Sequence, residues 1–347
     1  MAYTDIDKPS DYFETVLYAG NSGTLSITSL DFQPDWCWFK ARNNTDTHGV
    51  FDSVRGVTKR IIPNNNTAEG TQSNGLTHFL SNGFTVGDAG IVNQGYNYAS
   101  WNWKAGTSFT NDASATGIGT IDSAGSANTT SGFSIVSYTG TGSAGTIKHG
   151  LSTAPKMIIQ KNRDETQPWW TYVESIGAGG QLRLNATNAA GSDGATLWNS
   201  TAPTSSVFSV GDNTGTNGSA DKCIAYCFAE KQGYSKFGSY TGNGNVDGTF
   251  FYTGFKPAFT IIRSTGSDQW SMFDAKRNPF NEVDNNIRAN SNAAEADQAN
   301  KEVDYLSNGV KLRTSSGEWN SSGTTYIYMA FAEQPFVTST GVPATAR

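Results

Sequence analysis

The 347-residue chain is short of charge, cysteine, histidine and long apolar runs. Charged side chains make up 16% of it, against roughly 25% in ordinary soluble proteins. Acids (30) outnumber lysine and arginine (24) for a formal charge of −6, and the bases do not cluster. That excludes a broad basic face for nucleic acid or an anionic membrane. No stretch approaches the ~18 apolar residues that insertion in a bilayer needs, and the start lacks the basic and apolar segments of a signal peptide. The three cysteines, Cys37, Cys223 and Cys227, cannot all pair with one another. Cys223 and Cys227 fall on one expected strand, about 13 Å apart at ~3.3 Å per residue, beyond the ~7 Å reach of a disulfide. All three read as buried thiols. A Cys-x3-Cys pair without nearby histidine is also a poor zinc site, so no metal or cofactor is expected.

Catalytic patterns are equally scarce. The chain has no G-x-S-x-G elbow, no H-E-x-x-H and no phosphate-binding glycine loop. Its three histidines assemble no triad: His48 stands where the later repeats described below carry Trp169 and Trp270, and His78 and His149 lie in unrelated contexts. Asp52 and Asp274 occupy one repeat position, where the middle copy has Val173 beside Glu174. An acid that vanishes between copies reads as a partner for the base ending a neighbouring strand (Lys40, Lys161, Arg263) rather than as a catalyst. No catalytic residue is assigned, and a non-enzymatic role is expected. The stretches 211–218 and 242–248 are rich in oxygen ligands but lack the spacing and closing Glu of an EF-hand; they read as hairpin turns.

What is abundant is glycine (38), with Asn, Ser and Thr: the composition of short strands and many turns. One stretch organises the rest. Pro34-Asp35-Trp36-Cys37-Trp38-Phe39-Lys40 returns as Pro155-Lys156-Met157-Ile158-Ile159-Gln160-Lys161 and as Pro257-Ala258-Phe259-Thr260-Ile261-Ile262-Arg263. Strand side chains alternate between faces, so Trp36 and Trp38, Met157 and Ile159, and Phe259 and Ile261 share an inward face. A closing strand recurs as well. Trp101, Tyr226 and Met329 take one inward position in it, and Trp103, Phe228 and Phe331 the next. Upstream of the prolines stand Tyr18, Tyr138 and Tyr240, each followed two places on by glycine (Gly20, Gly140, Gly242). This periodicity is too long for a solenoid coil.

The sequence therefore predicts an all-β protein of three tandem β-sandwich units, jelly-roll or lectin-like, of about 100 residues each. The boundaries are an N-terminal arm (1–11), unit one (12–106), a Gly/Ser/Thr linker (107–131), unit two (132–233), unit three (234–336) and a C-terminal tail (337–347). Strands at 12–18 and 24–30 are expected to form a hairpin, and 293–303 to carry a short helix. Trp169, Trp198 and Trp319 fall near loops. Core packing is the favoured reading for them; otherwise they are the candidate glycan or partner contacts.

Five segments of unit one resemble a repeated domain of virion proteins from tailed phages, especially those of marine cyanobacteria. They are Tyr12-Phe13-Glu14-Thr15-Val16-Leu17-Tyr18, Asp31-Phe32-Gln33-Pro34-Asp35-Trp36, Phe51-Asp52-Ser53-Val54-Arg55-Gly56, Asn82-Gly83-Phe84 and Trp101-Asn102-Trp103-Lys104-Ala105-Gly106. The ending Tyr326-Ile327-Tyr328-Met329-Ala330-Phe331-Ala332-Glu333 is similar to the C-termini of the same proteins. Unit two departs most, with Tyr172-Val173-Glu174-Ser175 in place of the Phe-Asp-Ser segment. The resemblance implies a structural part of a virion, made in the host bacterial cytoplasm. It implies a tail fibre or appendage that touches a host-surface glycan or protein; capsid decoration and a polysaccharide depolymerase are the alternatives. Expected partners are other virion proteins and further copies of the chain, as a trimer or larger array, without nucleic acid or membrane insertion.

Overall fold

The computed structural model describes residues 2–297 and 302–345. The protein is all-β, built of several antiparallel sheets: each sequence repeat supplies one large sheet and one small sheet, and the first adds a two-stranded pair, Lys59–Arg60 with Gly70–Thr71. The large sheets share a core order. In the first repeat it runs Phe13–Ala19, Asn97–Trp103, Trp36–Ala41, Gly49–Asp52; the third has Ser235–Thr241, Thr325–Pro335, Phe255–Ser264, Ser271–Asp274 in the same places, then Asn285–Arg288 and Ala296–Asp297. The second has Phe133–Thr139, Lys222–Phe228, Met157–Asn162, Trp170–Val173 and Leu182–Arg183. Facing these lie the small sheets: Leu25–Ile27 with Gly83–Val86 and Leu76–Leu80, Gly145–Lys148 with Val207–Val210, and Phe250–Tyr252 with Gly309–Leu312 and Val303–Leu306.

The proline-led strand pairs with the closing strand in matching register. Trp36 is opposite Trp103, Met157 opposite Phe228 and Phe259 opposite Phe331. All twelve predicted inward residues are buried, but they do not face three separate interiors. They meet in one shared apolar cluster at the centre of the molecule. The Trp36 ring stacks on Tyr226 of the second repeat at 4.6 Å, and Phe13 stacks on Phe331 of the third at 5.0 Å. Trp103 lies edge-on to Phe259 at 5.9 Å.

The opposite faces of the same strands build the local cores. Cys37 and Phe39 pack with Leu76 and Phe84; Ile158, Cys223 and Cys227 with Trp198 and Phe208; Ile262, Tyr326 and Tyr328 with Phe251 and Trp319. The Trp36–Ala41 strand is accordingly buried at every position, which is why it reads as a continuous apolar run rather than an alternation.

The Tyr-x-Gly signature has a local cause. Tyr18, Tyr138 and Tyr240 donate their hydroxyls to the carbonyls of Val92, Thr216 and Trp319 at 2.6, 2.5 and 2.7 Å. That draws the following turn against a loop of the same repeat. A Cβ on Gly20, Gly140 or Gly242 would stand 1.8, 2.2 or 2.3 Å from the carbonyl oxygens of Gln94, Gly218 and Ser321.

Several expectations are corrected. The first two strands, Phe13–Ala19 and Leu25–Ile27, do not form a hairpin: they pair in different sheets, with the Asn97–Trp103 and Gly83–Val86 strands respectively. Residues 107–131 are not a free linker either. The Thr107–Asn111 and Ser123–Asn128 strands pair with each other and extend the second large sheet along Phe133–Thr139. Their small residues are required there, since a Cβ at Gly125 would lie 2.1 Å from the Ile135 carbonyl.

The helix expected at 293–303 is absent from its described part, where Ala296–Asp297 is a short strand; residues 298–301 lie outside the described residues. The N-terminal arm is anchored rather than free. The Thr4 hydroxyl donates to the Gln232 carbonyl at 2.8 Å, and Asp7 accepts the Ser339 backbone N–H of the tail at 2.6 Å. Residues 211–218 hold the short helix Thr214–Asn217 instead of a hairpin turn, and Asn217 donates to the Ser143 and Gly211 carbonyls.

Candidate functional site

The three tryptophans that fall near loops are buried in core packing, so the structure does not offer them as glycan or partner contacts. Each indole spends its N–H inside: Trp169 on the Ile62 carbonyl (2.8 Å), Trp198 on the Gly180 carbonyl (3.2 Å) and Trp319 on the Ser271 hydroxyl (2.8 Å). Trp198 and Trp319 fill local cores. Trp169 reaches from the second repeat into the first. Its repeat partner Trp270 reaches from the third to the Arg183 carbonyl of the second (2.9 Å), and His48 from the first to the Ser291 carbonyl of the third (2.9 Å). Three equivalent positions therefore tie the repeats in a closed ring.

The backbone closes the same ring. The Glu69 N–H donates to the Arg163 carbonyl at 2.7 Å, the Ala190 N–H to Thr265 at 2.8 Å and the Glu295 N–H to Arg42 at 2.7 Å. Two of these junctions carry a buried charge network. At the first, Arg55 binds Asp52 at 2.5 Å and Glu69 at 3.1 Å, and Arg163 of the second repeat binds Glu69 at 2.9 Å. At the other, Arg277 binds Asp274 at 2.5 Å and Glu295 at 2.9 Å, and Arg42 of the first repeat binds Glu295 at 2.7 Å. The third junction places Val173, Ile176, Ala190 and Thr265 at the corresponding sites. A neighbouring repeat also supplies a donor to each acid: Tyr226 to Asp52 at 2.7 Å and Trp101 to Asp274 at 3.1 Å. The third copy of that donor is Met329, and the third acid is Val173.

Electrostatics agrees with the geometry. Burial alone would lower the Arg55 pKa, but Asp52, Tyr226 and Glu69 outweigh it and hold the guanidinium charged. Burial would raise the Glu69 carboxyl, yet Arg163 and Arg55 hold it below the usual range. For Glu295 burial is likewise outweighed by Arg42 and Arg277. Asp52 and Asp274 are thus each occupied by an arginine, at different junctions and away from solvent. Two acids facing one cleft, as glycoside hydrolysis requires, are not what this pair provides.

The expected pairing of these acids with Lys40 and Arg263 is also corrected. Lys40 donates to the Ala41 and Asn44 carbonyls (2.6 and 2.7 Å), Lys161 to Asn162 and Glu165 (2.7 and 3.0 Å), and Arg263 to Ser264 and Gly266 (2.5 and 3.1 Å). The base at the end of each proline-led strand clamps the loop that follows it. Burial lowers Lys40 and Lys161 to about 8 and Arg263 to about 10. The signal was present in the sequence as a base of fixed position; only its partner, a backbone carbonyl, was invisible.

Two solvent-facing features among the described residues bear on ligand contact. One is the outer face of the Phe250–Tyr252 strand, with Phe250 42% and Tyr252 50% exposed. The other is a groove of about 580 Å³ between Tyr12 and Phe109, where the chain passes from the first large sheet to the second. Among the described residues, no group of three or more His, Cys, Asp or Glu is arranged to hold a metal ion.

The fold and its junctions define an all-β protein in which three sequence repeats close around one shared core. The chain belongs to the family described as "Domain of unknown function (DUF7483)", whose model matches residues 8–335 in a single span across all three repeats. No curated protein sequence matches it. Among solved structures, it is similar at 7% identity to an uncharacterised protein from Listeria monocytogenes EGD-e in complex with α-D-glucose, β-D-glucose, magnesium and calcium. That similarity covers 89% of this chain and 29% of the other with a TM-score of 0.17, and no reading rests on it.

Proposed function

We propose that the protein is a non-enzymatic structural component of a tailed-phage virion, displayed on the particle, and that its three repeats are β-sandwich units arranged as a pseudo-trimer within one chain. The observation that carries the reading is where the apolar and aromatic stripes of the repeats go. They meet at one centre, and the inter-repeat hydrogen bonds return to the first repeat. Such a body resembles a symmetric assembly made covalent, suited to holding loops rigidly outward. Combined with the resemblance of the Phe-Asp-Ser, Asn-Gly-Phe and Trp-Asn-Trp segments to phage virion proteins, this favours an appendage that meets a host-surface glycan or protein.

Capsid decoration is the second reading, and one observation favours it. The stretch 107–131, expected as a linker between units one and two, forms paired strands instead, leaving three units fixed on one another. Mass spectrometry of purified phage particles, with gold labelling of a C-terminal tag, tests both. Label on the tail supports the appendage, label over the head supports decoration, and absence of the chain from particles overturns the virion assignment.

A further inference from the structure

The groove between Tyr12 and Phe109 differs from the rest of the surface in charge. The chain carries −6 overall, yet the groove is lined by Lys104 and Lys148 and by no carboxylate. Elsewhere Lys8, Lys156, Lys236, Lys276 and Lys311 each hold an acid; Lys59, Lys222 and Lys231 hold none among the described residues, but the groove brings two such lysines together. Lys104 and Lys148 make no ion pair among the described residues and sit instead over the two aromatic walls, Lys104 Nζ 5.6 Å from the Tyr12 ring centre and Lys148 Nζ 6.0 Å from that of Phe109. Those distances place the ammonium groups over the negative ring faces without neutralising them.

The Phe109 wall is also fixed in place. Gly125 and Gly150 press against it so closely that a Cβ on either would stand 3.0 or 2.7 Å from its ring. Gly150 has a φ of +75°, where a side chain is strained as well. Asn128 and Thr130 complete the lining with amide and hydroxyl donors and acceptors.

We propose that this groove binds an anionic saccharide. Lys104 and Lys148 swing off the ring faces to hold its carboxylate or sulfate ester, a sugar ring lays its C–H face on the Tyr12 or Phe109 wall they uncover, and Asn128 and Thr130 exchange hydrogen bonds with ring hydroxyls. A neutral sugar would use the walls but leave both ammonium groups without a counter-charge. A small inorganic anion would use the lysines and leave the walls empty. The inference supplies a ligand for the adhesive reading above and rests on that reading only for where the saccharide is met.

Isothermal titration at low ionic strength with a uronate tetrasaccharide, a sulfated tetrasaccharide, a neutral glucan tetrasaccharide and inorganic sulfate tests it. An acidic saccharide binds, with the two acidic arms separating carboxylate from sulfate ester, and affinity falls as salt rises. The glucan and free sulfate bind at least tenfold more weakly. K104Q/K148Q loses at least tenfold in affinity with its melting temperature unchanged, and Y12A weakens binding without a change in the salt dependence. Equal binding of the glucan, binding indifferent to K104Q/K148Q, or no binding of either acidic saccharide overturns the proposal. Finding the chain in particles while the groove stays empty removes only this inference; binding by a chain absent from particles removes only the virion reading.

Discussion

The two buried histidines set a pH response that can be worked from their hydrogen bonds. His48 Nδ1 accepts the Trp38 indole N–H at 2.8 Å, so the ring proton sits on Nε2 and is donated to the Ser291 carbonyl at 2.9 Å. In His149, Nδ1 accepts the Leu151 N–H at 3.1 Å and Nε2 faces the Thr204 carbonyl at 3.1 Å. A second proton on either ring would displace the group donating to Nδ1. Burial, aided by the nearby Lys40 charge, lowers His48 to about 3; burial lowers His149 to about 4.

Both folded values lie below that of an unfolded histidine, near 6.5. The unfolded chain therefore takes up protons first as pH falls. The stabilisation by neutral His48 and His149 is full above ~6.5 and is lost as pH drops from there toward the folded values. At ~1.36 kcal/mol per unit, each histidine costs about 2 kcal/mol between pH 7 and pH 5, about 4 kcal/mol together. Against a total stability of roughly 5–15 kcal/mol that is a large loss. Urea titrations followed by tryptophan fluorescence at the two pH values measure it as a shift in midpoint at constant slope. His48→Gln keeps one donor and one acceptor but does not titrate, so the pH-dependent loss falls by about half; His48→Gln/His149→Gln makes stability nearly level over this window. A wild-type protein equally stable at pH 5 and 7, or a double variant that keeps the full loss, would refute the reasoning.

Three further outcomes follow from the same packing. Arg55→Met leaves Asp52 buried without its partner and costs about 3–5 kcal/mol, whereas copying the apolar junction through Asp52→Val, Arg55→Ile, Glu69→Ala, Arg163→Thr and Tyr226→Met together costs less than that single change; urea midpoints decide, and the reverse order contradicts the equivalence of the junctions. Trp319→Ala empties the centre of a local core and lowers stability by about 3–5 kcal/mol, read as a fall in melting temperature; an unchanged melting temperature would show that this indole is not part of the core. Gly20→Ala forces a methyl onto the Gln94 carbonyl and costs about 1–3 kcal/mol, while Gly23→Ala, whose nearest neighbour would be 3.6 Å away, is close to neutral in the same assay.

The repeat is legible in the sequence because each copy spends its largest side chains at the same strand positions. What alternation leaves open is which interior a face looks into. In Trp36-Cys37-Trp38-Phe39 both faces are apolar, and that unbroken run is itself the mark of a strand buried on two sides. The shared centre was thus written in the sequence, though a reading of one core per unit passes over it. The strands at Thr107–Asn111 and Ser123–Asn128 leave a weaker trace, since their residues are small and polar and only Phe109 marks a face. Trp169, Trp198 and Trp319 misdirect for a related reason. Being near a loop in sequence does not place a side chain at the surface when the loop folds back over its own sheet.

Why two junctions are charged and one is apolar has an answer in assembly. Three units with the same sheet order present similar edges, and apolar contact by itself discriminates weakly among ways of arranging them around a centre. A buried Asp–Arg–Glu–Arg relay discriminates strongly, because a guanidinium placed against Val173 and Ile176 would be stranded without a carboxylate, a mismatch of several kcal/mol. Both relays include the first repeat: Asp52, Arg55 and Glu69 look to Arg163 on one side, and Arg42 looks to Glu295 on the other. The second and third repeats, separated in sequence by only a few residues, meet through the apolar junction, where the short connection already limits which edges can face each other. The first repeat has a longer connection, from Trp103 to Phe133, and its two flanks carry the charges that admit one neighbour each. In this arrangement the buried ions act chiefly on the order of the ring rather than on its depth in free energy, a use of buried charge that the third junction, built without a carboxylate relay, isolates.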